Sequence, residues 1–290
     1  MSSPVDTVGT VMAAARALGV DRLDAQLLLA HHLGRSRSWV LAHDDDALPD
    51  TLAAAVRTDL GRRADGVPLA QLTGWREFHG LRLHVTPAVL DPRPDTETLV
   101  DWALDLLRGE LAELAAPQVV DLGTGSGAIA LAVKHGCPRA RVRALDTSAA
   151  ALAVARDNGR RLGLAVDWQA SDWWSALLPP PVDLALSNPP YIAAADPHLP
   201  ALRHEPRAAL TPGDDGLAAL RAVIAGAAAH LQPAGWLLLE HGHDQADAVR
   251  SLLAAAGFER LATRRDLGGH QRCTGGRRPP AAAAAAVAGR

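Results

Sequence analysis

Residues 188–191, Asn-Pro-Pro-Tyr, close the apolar run LALS. Tyr191 is the only tyrosine of the chain, and Asn188 is one of two asparagines, with Asn158. A side-chain amide carries one acceptor oxygen and two N–H donors. Pro189 and Pro190 have no backbone N–H and fix their own φ, while their carbonyls stay available as acceptors. Tyr191 adds a flat wall. Such a set suits a planar target bearing an NH2 group. The Asn188 side-chain oxygen and the Pro189 carbonyl would take its two hydrogens, and the nitrogen would face a methyl donor. The plainer alternative is a proline-rich turn with a polar cap. It is disfavoured because the motif follows an apolar strand and shares a face with a second motif.

That second motif is DLGTGSGAIAL, residues 121–131, between a strand pattern and a helix pattern. Gly123, Gly125 and Gly127 permit positive φ and close approach of backbone to a ligand. The spacing is G-x-G-x-G rather than the dinucleotide G-x-G-x-x-G, and no Gly-Lys-Ser/Thr follows, so a P-loop is excluded. Asp146 ends the next strand pattern, 19 residues past Gly127. A carboxylate there can accept from both hydroxyls of a ribose. In SDWW, at the end of a third strand pattern, Trp173 or Trp174 can supply an apolar wall for an adenine ring. A tight turn with a surface acid, and a core tryptophan, are the bland counterparts of these readings.

Positioning these residues requires strands that end together. From 117 to 274 the chain alternates short apolar runs (QVVDLG, RVRALD, AVDWQAS, VDLALSN, GWLLLEHG, FERLATRRD) with helical periodicities. This predicts an α/β fold with a mostly parallel sheet covered by helices on both faces. Ligands in such sheets bind beyond the carboxyl ends of the strands. Residues 1–67 are expected to form a small helical domain, with Gly19 and Gly34 as helix stops and Asp50 as an N-cap. Residues 68–94, with the alternation Leu81, Leu83, Val85 and several prolines, predict a hairpin and linker. A helix is expected to begin near Asp95–Thr96, opening a domain over 95–275. The tail 276–290, rich in Ala, Pro and Arg, is expected to be disordered.

Composition narrows the partners. The net charge of -3 gives no global attraction to nucleic acid or to an anionic membrane. Of 29 basic residues only Lys134 is a lysine, so arginine pairs such as Arg160-Arg161 reflect compositional bias. Cys137 and Cys273 form no metal-spaced pair and no disulfide framework. A cytoplasmic location is expected, with no membrane span, because no run approaches ~20 apolar residues. His241 and His243 are two apart with no third ligand in view, so no metal is expected.

VVDLGTGSGAIAL together with SNPPY resembles class I S-adenosylmethionine-dependent methyltransferases acting on planar amide or amine nitrogens. PLAQLTGWREFHGLRLHV, PRPDTE, SDWW, EPRAAL, DDGL, LLLEHG and RDLGGHQR, in that order, resemble the release-factor glutamine methyltransferase family (PrmC/HemK) from about residue 66 to 273. Asp91 departs from the pattern, standing where that family usually has an aliphatic residue before PRP. The resemblance implies a Rossmann-like sheet with a helical N-terminal domain that helps to dock class I peptide chain release factors. It implies S-adenosylmethionine as cofactor and methylation of the glutamine amide nitrogen in the Gly-Gly-Gln motif. Gly123, Thr124, Gly125, Ser126 and Gly127 would hold the cofactor's amino-acid end, Asp146 its ribose and Trp173 its adenine, with Asn188 also at the cofactor. Asn188, Pro189, Pro190 and Tyr191 would hold the glutamine. A monomer is expected, with no direct nucleic acid partner.

Other readings compete. Asn-Pro-Pro-Tyr also serves adenine amines, but a DNA adenine methyltransferase needs base flipping and a basic DNA-contacting surface. The slightly negative chain has no segment recognisable as a target-recognition domain. A methyltransferase for a ribosomal-protein glutamine shares the motif but differs at PRPDTE. A non-catalytic binding protein, and an NAD-linked dehydrogenase, fit less well with the intact motifs and with the glycine spacing.

Overall fold

The computed structural model describes residues 6–281. It divides into two compact units, 1–75 and 76–290.

In the first unit, helices α1 (Val8–Ala17), α2 (Arg22–Leu33), α3 (Arg37–Ala42), α4 (Asp50–Ala64) and α5 (Leu69–Thr73) surround a core that includes Val11, Leu28, Leu29, Val56 and Leu60. The starts are set by side-chain caps. Asp21 accepts from the Leu23 N–H at 2.8 Å, and Ser36 accepts from the Trp39 N–H. Gly34 ends α2 in the left-handed region, φ 62°. Asp50 is not the N-cap expected of it. Pro49 occupies that position without a side-chain bond, and Asp50 is the acid of the first turn, where the helix dipole favours it. Residues 69–73, expected in the linker, form α5.

The hairpin β1 (Trp75–Phe78) and β2 (Leu81–His84) belongs to the second unit from Arg76 onward. A single 3-10 turn, Pro94–Thr96, leads into α6 (Glu97–Arg108). Then come β3 (Gln118–Leu122), α7 (Ala128–Gly136), β4 (Arg141–Asp146), α8 (Ala149–Leu162), β5 (Asp167–Ala170) and β6 (Val182–Ser187). After the short α9 (Arg207–Leu210) follow α10 (Ala218–His230), β7 (Leu231–Glu240), α11 (Ala246–Ala255), β8 (Glu259–Arg265) and β9 (Gln271–Arg277).

Strands order β5-β4-β3-β6-β7-β9-β8 in one sheet. The first five are parallel, and β9 runs antiparallel to both β7 and β8. Alternation along the strands sends side chains to two cores. Val119, Leu184, Leu186 and Leu238 face α6 and α7, while Val120, Ala185, Leu237 and Leu239 face α10 and α11. Central strands buried on both faces read as continuous apolar runs, as at Val119–Val120 of β3, Leu184–Leu186 of β6 and Trp236–Leu239 of β7.

β9 corrects the expected tail. Gly276 and Arg277, assigned to a disordered 276–290, pair in the sheet with Leu237 and Trp236. The glycines disguise the strand. A Cβ on Gly275 would lie 2.4 Å from Leu238, and one on Gly276 2.6 Å from Leu261. The rest of that tail from residue 282 lies outside the described residues.

Candidate active site

The chain runs β3 to β4 to β5 outward, then returns across β3 to start β6 on its other side. The crevice at this switch point lies beyond the carboxyl ends of the parallel β3 and β6, where the connections from neighbouring strands leave in opposite directions. Register places Leu122 beside Ser187, and the Ser187 hydroxyl donates to the Leu122 carbonyl at 2.7 Å. The glycine loop and the Asn-Pro-Pro-Tyr loop therefore leave adjacent strands at one level.

A cavity of about 330 Å³ opens there. It brings together Gly123, Thr124, Gly125, Ser126, Asp146, Trp173, Asn188 and Pro190. Gly127, Pro189 and Tyr191 are not part of its lining.

Gly123, Gly125 and Gly127 all have positive φ, at 75°, 55° and 84°. Gly127 caps α7 and is packed from below, with a Cβ position 2.9 Å from the Trp168 ring and 3.2 Å from Ala155. Asp121 supports the loop from inside. Its Oδ2 accepts from the Thr124 hydroxyl at 2.6 Å and from the Ala130 N–H. Burial pushes its carboxyl up to about 7, against the pull of those donors. Asp146 Oδ2 accepts from the Gly125 N–H and Oδ1 from the Ser148 N–H, at 2.9 and 2.8 Å. Each oxygen keeps a lone pair for a further donor.

The tryptophan alternative resolves. Trp174 is core: it is buried, its indole donates to the Val223 carbonyl at 2.8 Å, and it stacks on His230. Trp173 lines the cavity, at φ 47° and with its ring 3.4 Å from the Cβ position of Gly123. A bulky residue in the left-handed region is a strained arrangement. The Ser171 hydroxyl, which donates to the Trp173 carbonyl, helps to hold it.

Asn188 donates its side-chain amide to Thr96 Oγ1 at 3.2 Å. That bond leaves the Oδ1 of Asn188, a residue of the cavity lining, as an acceptor. Pro189 is buried. Tyr191 turns away from the cavity, and its hydroxyl donates to Glu240 Oε1 at 3.2 Å. Burial, and then the Glu240 charge, push the phenol upward. Glu240 itself is 1% exposed, and burial raises its carboxyl to about 7 against the Thr96 hydroxyl, Arg272 and Tyr191.

Several residues at the site were not singled out from sequence. Thr96 and Arg93 come from the PRPDTE stretch and line the cavity. Arg93 pairs with the buried Glu205. Asp91 is buried and flanked by Arg76 and Arg93, so two arginines accompany an acid where an aliphatic side chain was expected. Glu240 ends the run LLLE, and a charge closing a buried strand was the available signal. His241 is buried and satisfied by Thr274 Oγ1 and the Gly242 carbonyl. Among the described residues no group of three or more His, Cys, Asp or Glu could hold a metal, and no helix is long and apolar enough to cross a membrane.

The sheet order, the glycine loop after β3, the acid after β4 and the amide-bearing loop after β6 define a class I S-adenosylmethionine-dependent methyltransferase. Residues 96–255 match the family described as "Methyltransferase small domain", and residues 12–74 match "PrmC N-terminal domain". The release factor glutamine methyltransferase of Bordetella pertussis is 53% identical over 89% of this chain and 95% of its own length. That of Escherichia coli is 42% identical over 88% and 92%. The chain belongs to the release factor glutamine methyltransferase family. The solved Thermus thermophilus 16S rRNA N2 G1207 methyltransferase shares the fold, with a TM-score of 0.52 at 19% identity over 70% of this chain and 49% of that one.

Proposed function

We propose that this enzyme methylates the side-chain amide nitrogen of the glutamine in the Gly-Gly-Gln motif of class I peptide chain release factors. The relatives named for that activity support the substrate. The observation that carries the chemistry is the Asn188 side chain: its NH2 is engaged by Thr96, which leaves Oδ1 to accept from a substrate amide.

The residues present fit S-adenosylmethionine. The cavity offers an apolar wall at Trp173, a carboxylate at Asp146 and the glycine-loop residues Gly123, Thr124, Gly125 and Ser126. We assign these to adenine, ribose and the amino-acid end respectively, with Gly127 shaping the loop from outside the cavity. The bound cofactor supplies a methyl group already activated by its sulfonium charge.

The protein's task is then to position a poor nucleophile, because the amide lone pair is delocalised. Asn188 Oδ1 and the Pro189 carbonyl accept the two amide hydrogens and hold the nitrogen for in-line transfer. Orientation of this kind can supply roughly 7–11 kcal/mol. The same two acceptors strengthen as positive charge grows on nitrogen. Pro190, which lines the cavity, flanks the glutamine side chain, while Tyr191 shapes the loop from behind. No dedicated base is required, since the product amide loses its proton late. The N-terminal helices dock the release factor. The enzyme works as a monomer in the cytoplasm, without direct contact to nucleic acid.

The test uses labelled cofactor and a release factor, with and without its Gly-Gly-Gln glutamine replaced, and locates the methyl by mass spectrometry. Label is expected on that glutamine only. Asn188→Ala is expected to bind cofactor and lose most of kcat; wild-type turnover in that variant overturns the role given to Asn188.

A further inference from the structure

Glu205 opens the stretch EPRAAL, and the chemistry above gives it no role. Its side chain is only 2% exposed. The carboxylate is bonded at both oxygens to a segment far away in the chain. Oε1 accepts from the Arg93 guanidinium, and Oε2 accepts from the Asp91 backbone N–H at 3.2 Å. Charge-assisted bonds of this kind are the strong ones. Asp91 stands beside the same arginine, at 3.9 Å, and beside Arg76 at 3.5 Å. Arg76 also donates to the Pro92 carbonyl at 3.0 Å. Two acids and two arginines thus balance one another around residues 91–93.

These bonds form part of a closed circuit of contacts between segments. Beyond Arg93 the chain turns through Pro94–Thr96, and Thr96 accepts from the Asn188 amide at 3.2 Å. Four residues after Asn188, the Ile192 N–H donates to the Leu210 carbonyl at 3.0 Å. Leu210 ends α9, and Glu205 stands two residues before that helix begins. From Glu205 the circuit returns to Asp91 and Arg93. Residues 91–96, 188–192 and 205–210 are therefore fastened to one another in a ring. Each segment contributes to the cavity: Arg93 and Thr96 from the first, Asn188 and Pro190 from the second, Pro206 and Ala209 from the third. The residues assigned above to adenine, ribose and the cofactor's amino-acid end stand on other segments.

We propose that Glu205 is a positioning residue for methyl transfer. It fastens 205–210 to 91–96, and so fixes where Thr96, and the Asn188 amide bonded to it, stand against the incoming glutamine. This rests on the reading of Asn188 as the acceptor for the substrate amide.

Glu205→Gln tests the joint. The two donors, Arg93 and the Asp91 N–H, reach different oxygens. In a glutamine one of those atoms becomes NH2, so one donor meets another donor. Loss of a hydrogen bond involving a charged group predicts a fall in kcat of about tenfold to a hundredfold. Cofactor affinity by calorimetry is expected to stay at the wild-type value, because the ring leaves out the cofactor segments. KM for the release factor is expected to hold as well, because docking rests with the N-terminal helices. Glu205→Asp keeps the charge among the arginines and serves if Glu205→Gln folds poorly. One methylene shorter, it cannot reach both donors, and the loss of one ordinary hydrogen bond predicts a fall in kcat of about threefold to tenfold. Either folded variant at wild-type kcat, beside an inactive Asn188→Ala, overturns the Glu205 proposal alone. An active Asn188→Ala overturns the acceptor reading beneath it. A cofactor affinity that falls in step with kcat, or a raised KM at unchanged kcat, also refutes the positioning role.

Discussion

Replacing Gly127 and Gly125 separately by alanine distinguishes what the two glycines do in one loop. Both have positive φ, so either alanine incurs the left-handed cost of roughly 1–2 kcal/mol. Gly125 has nothing within 4 Å of its Cβ position, so that cost stands alone. At Gly127 the new methyl would meet the Trp168 ring at 2.9 Å and Ala155 and Leu131 at 3.2 Å. The Ala155 methyl has no rotamer to change, so overpacking adds roughly 1–3 kcal/mol. Together Gly127→Ala should destabilise by roughly 2–5 kcal/mol, or about 4–20 °C in Tm for a unit of this size. Gly125→Ala should lose only about 2–8 °C. Gly125 lines the cavity, so its variant should instead lose cofactor affinity beyond what its stability change explains. Thermal unfolding by circular dichroism, with calorimetric titration of S-adenosylmethionine, measures both. If Gly127→Ala melts with the wild type, or if the two variants fall equally, the packing argument for this loop is wrong.

Two further outcomes follow from the same site. Trp173→Ala should weaken cofactor binding by about tenfold, the scale of one aromatic contact, with little change in Tm. Trp174→Ala should cost about 3–5 kcal/mol of stability as a core deletion; denaturant unfolding and cofactor titration of both variants check the division. Asp121 predicts a pH dependence of stability. Its folded pKa, about 7, lies above the ordinary 3.8, so the folded state keeps a proton that the unfolded chain releases. Stability is therefore greatest below the unfolded value and falls as pH rises toward 7. Asp121→Asn removes this titration, so its stability relative to wild type should improve by about 3 kcal/mol between pH 5 and pH 8. Urea unfolding at the two pH values that gives a constant difference would refute the assignment.

Much of the frame was legible because its signals are local. The apolar runs of β3, β4 and β6 end at Leu122, Asp146 and Ser187, and the motifs follow directly, so strand ends and candidate residues were read together. β9 was not legible. Gly275 and Gly276 have low strand propensity, and the need for them comes from Leu238 and Leu261, which approach from other strands. α5 was missed for a related reason: Leu69–Thr73 is one short turn of helix behind Pro68, too brief for a periodicity to register.

By itself the sequence determined the family and the chemical types at the site: an amide, carbonyls without competing N–H groups, a glycine loop and an acid. These depend on residue identity and on strand order, which the alternation of elements carries. Only the tertiary structure decided that Trp174 belongs to the core, that Tyr191 points to Glu240 rather than into the cavity, and that Asn188 donates to Thr96. The physical reason is that Thr96 and Asn188, like Tyr191 and Glu240, lie far apart in the chain, and no local pattern encodes the hydrogen bonds between them. The sheet register brings β6 and β7 side by side, and burial makes each proton's direction matter.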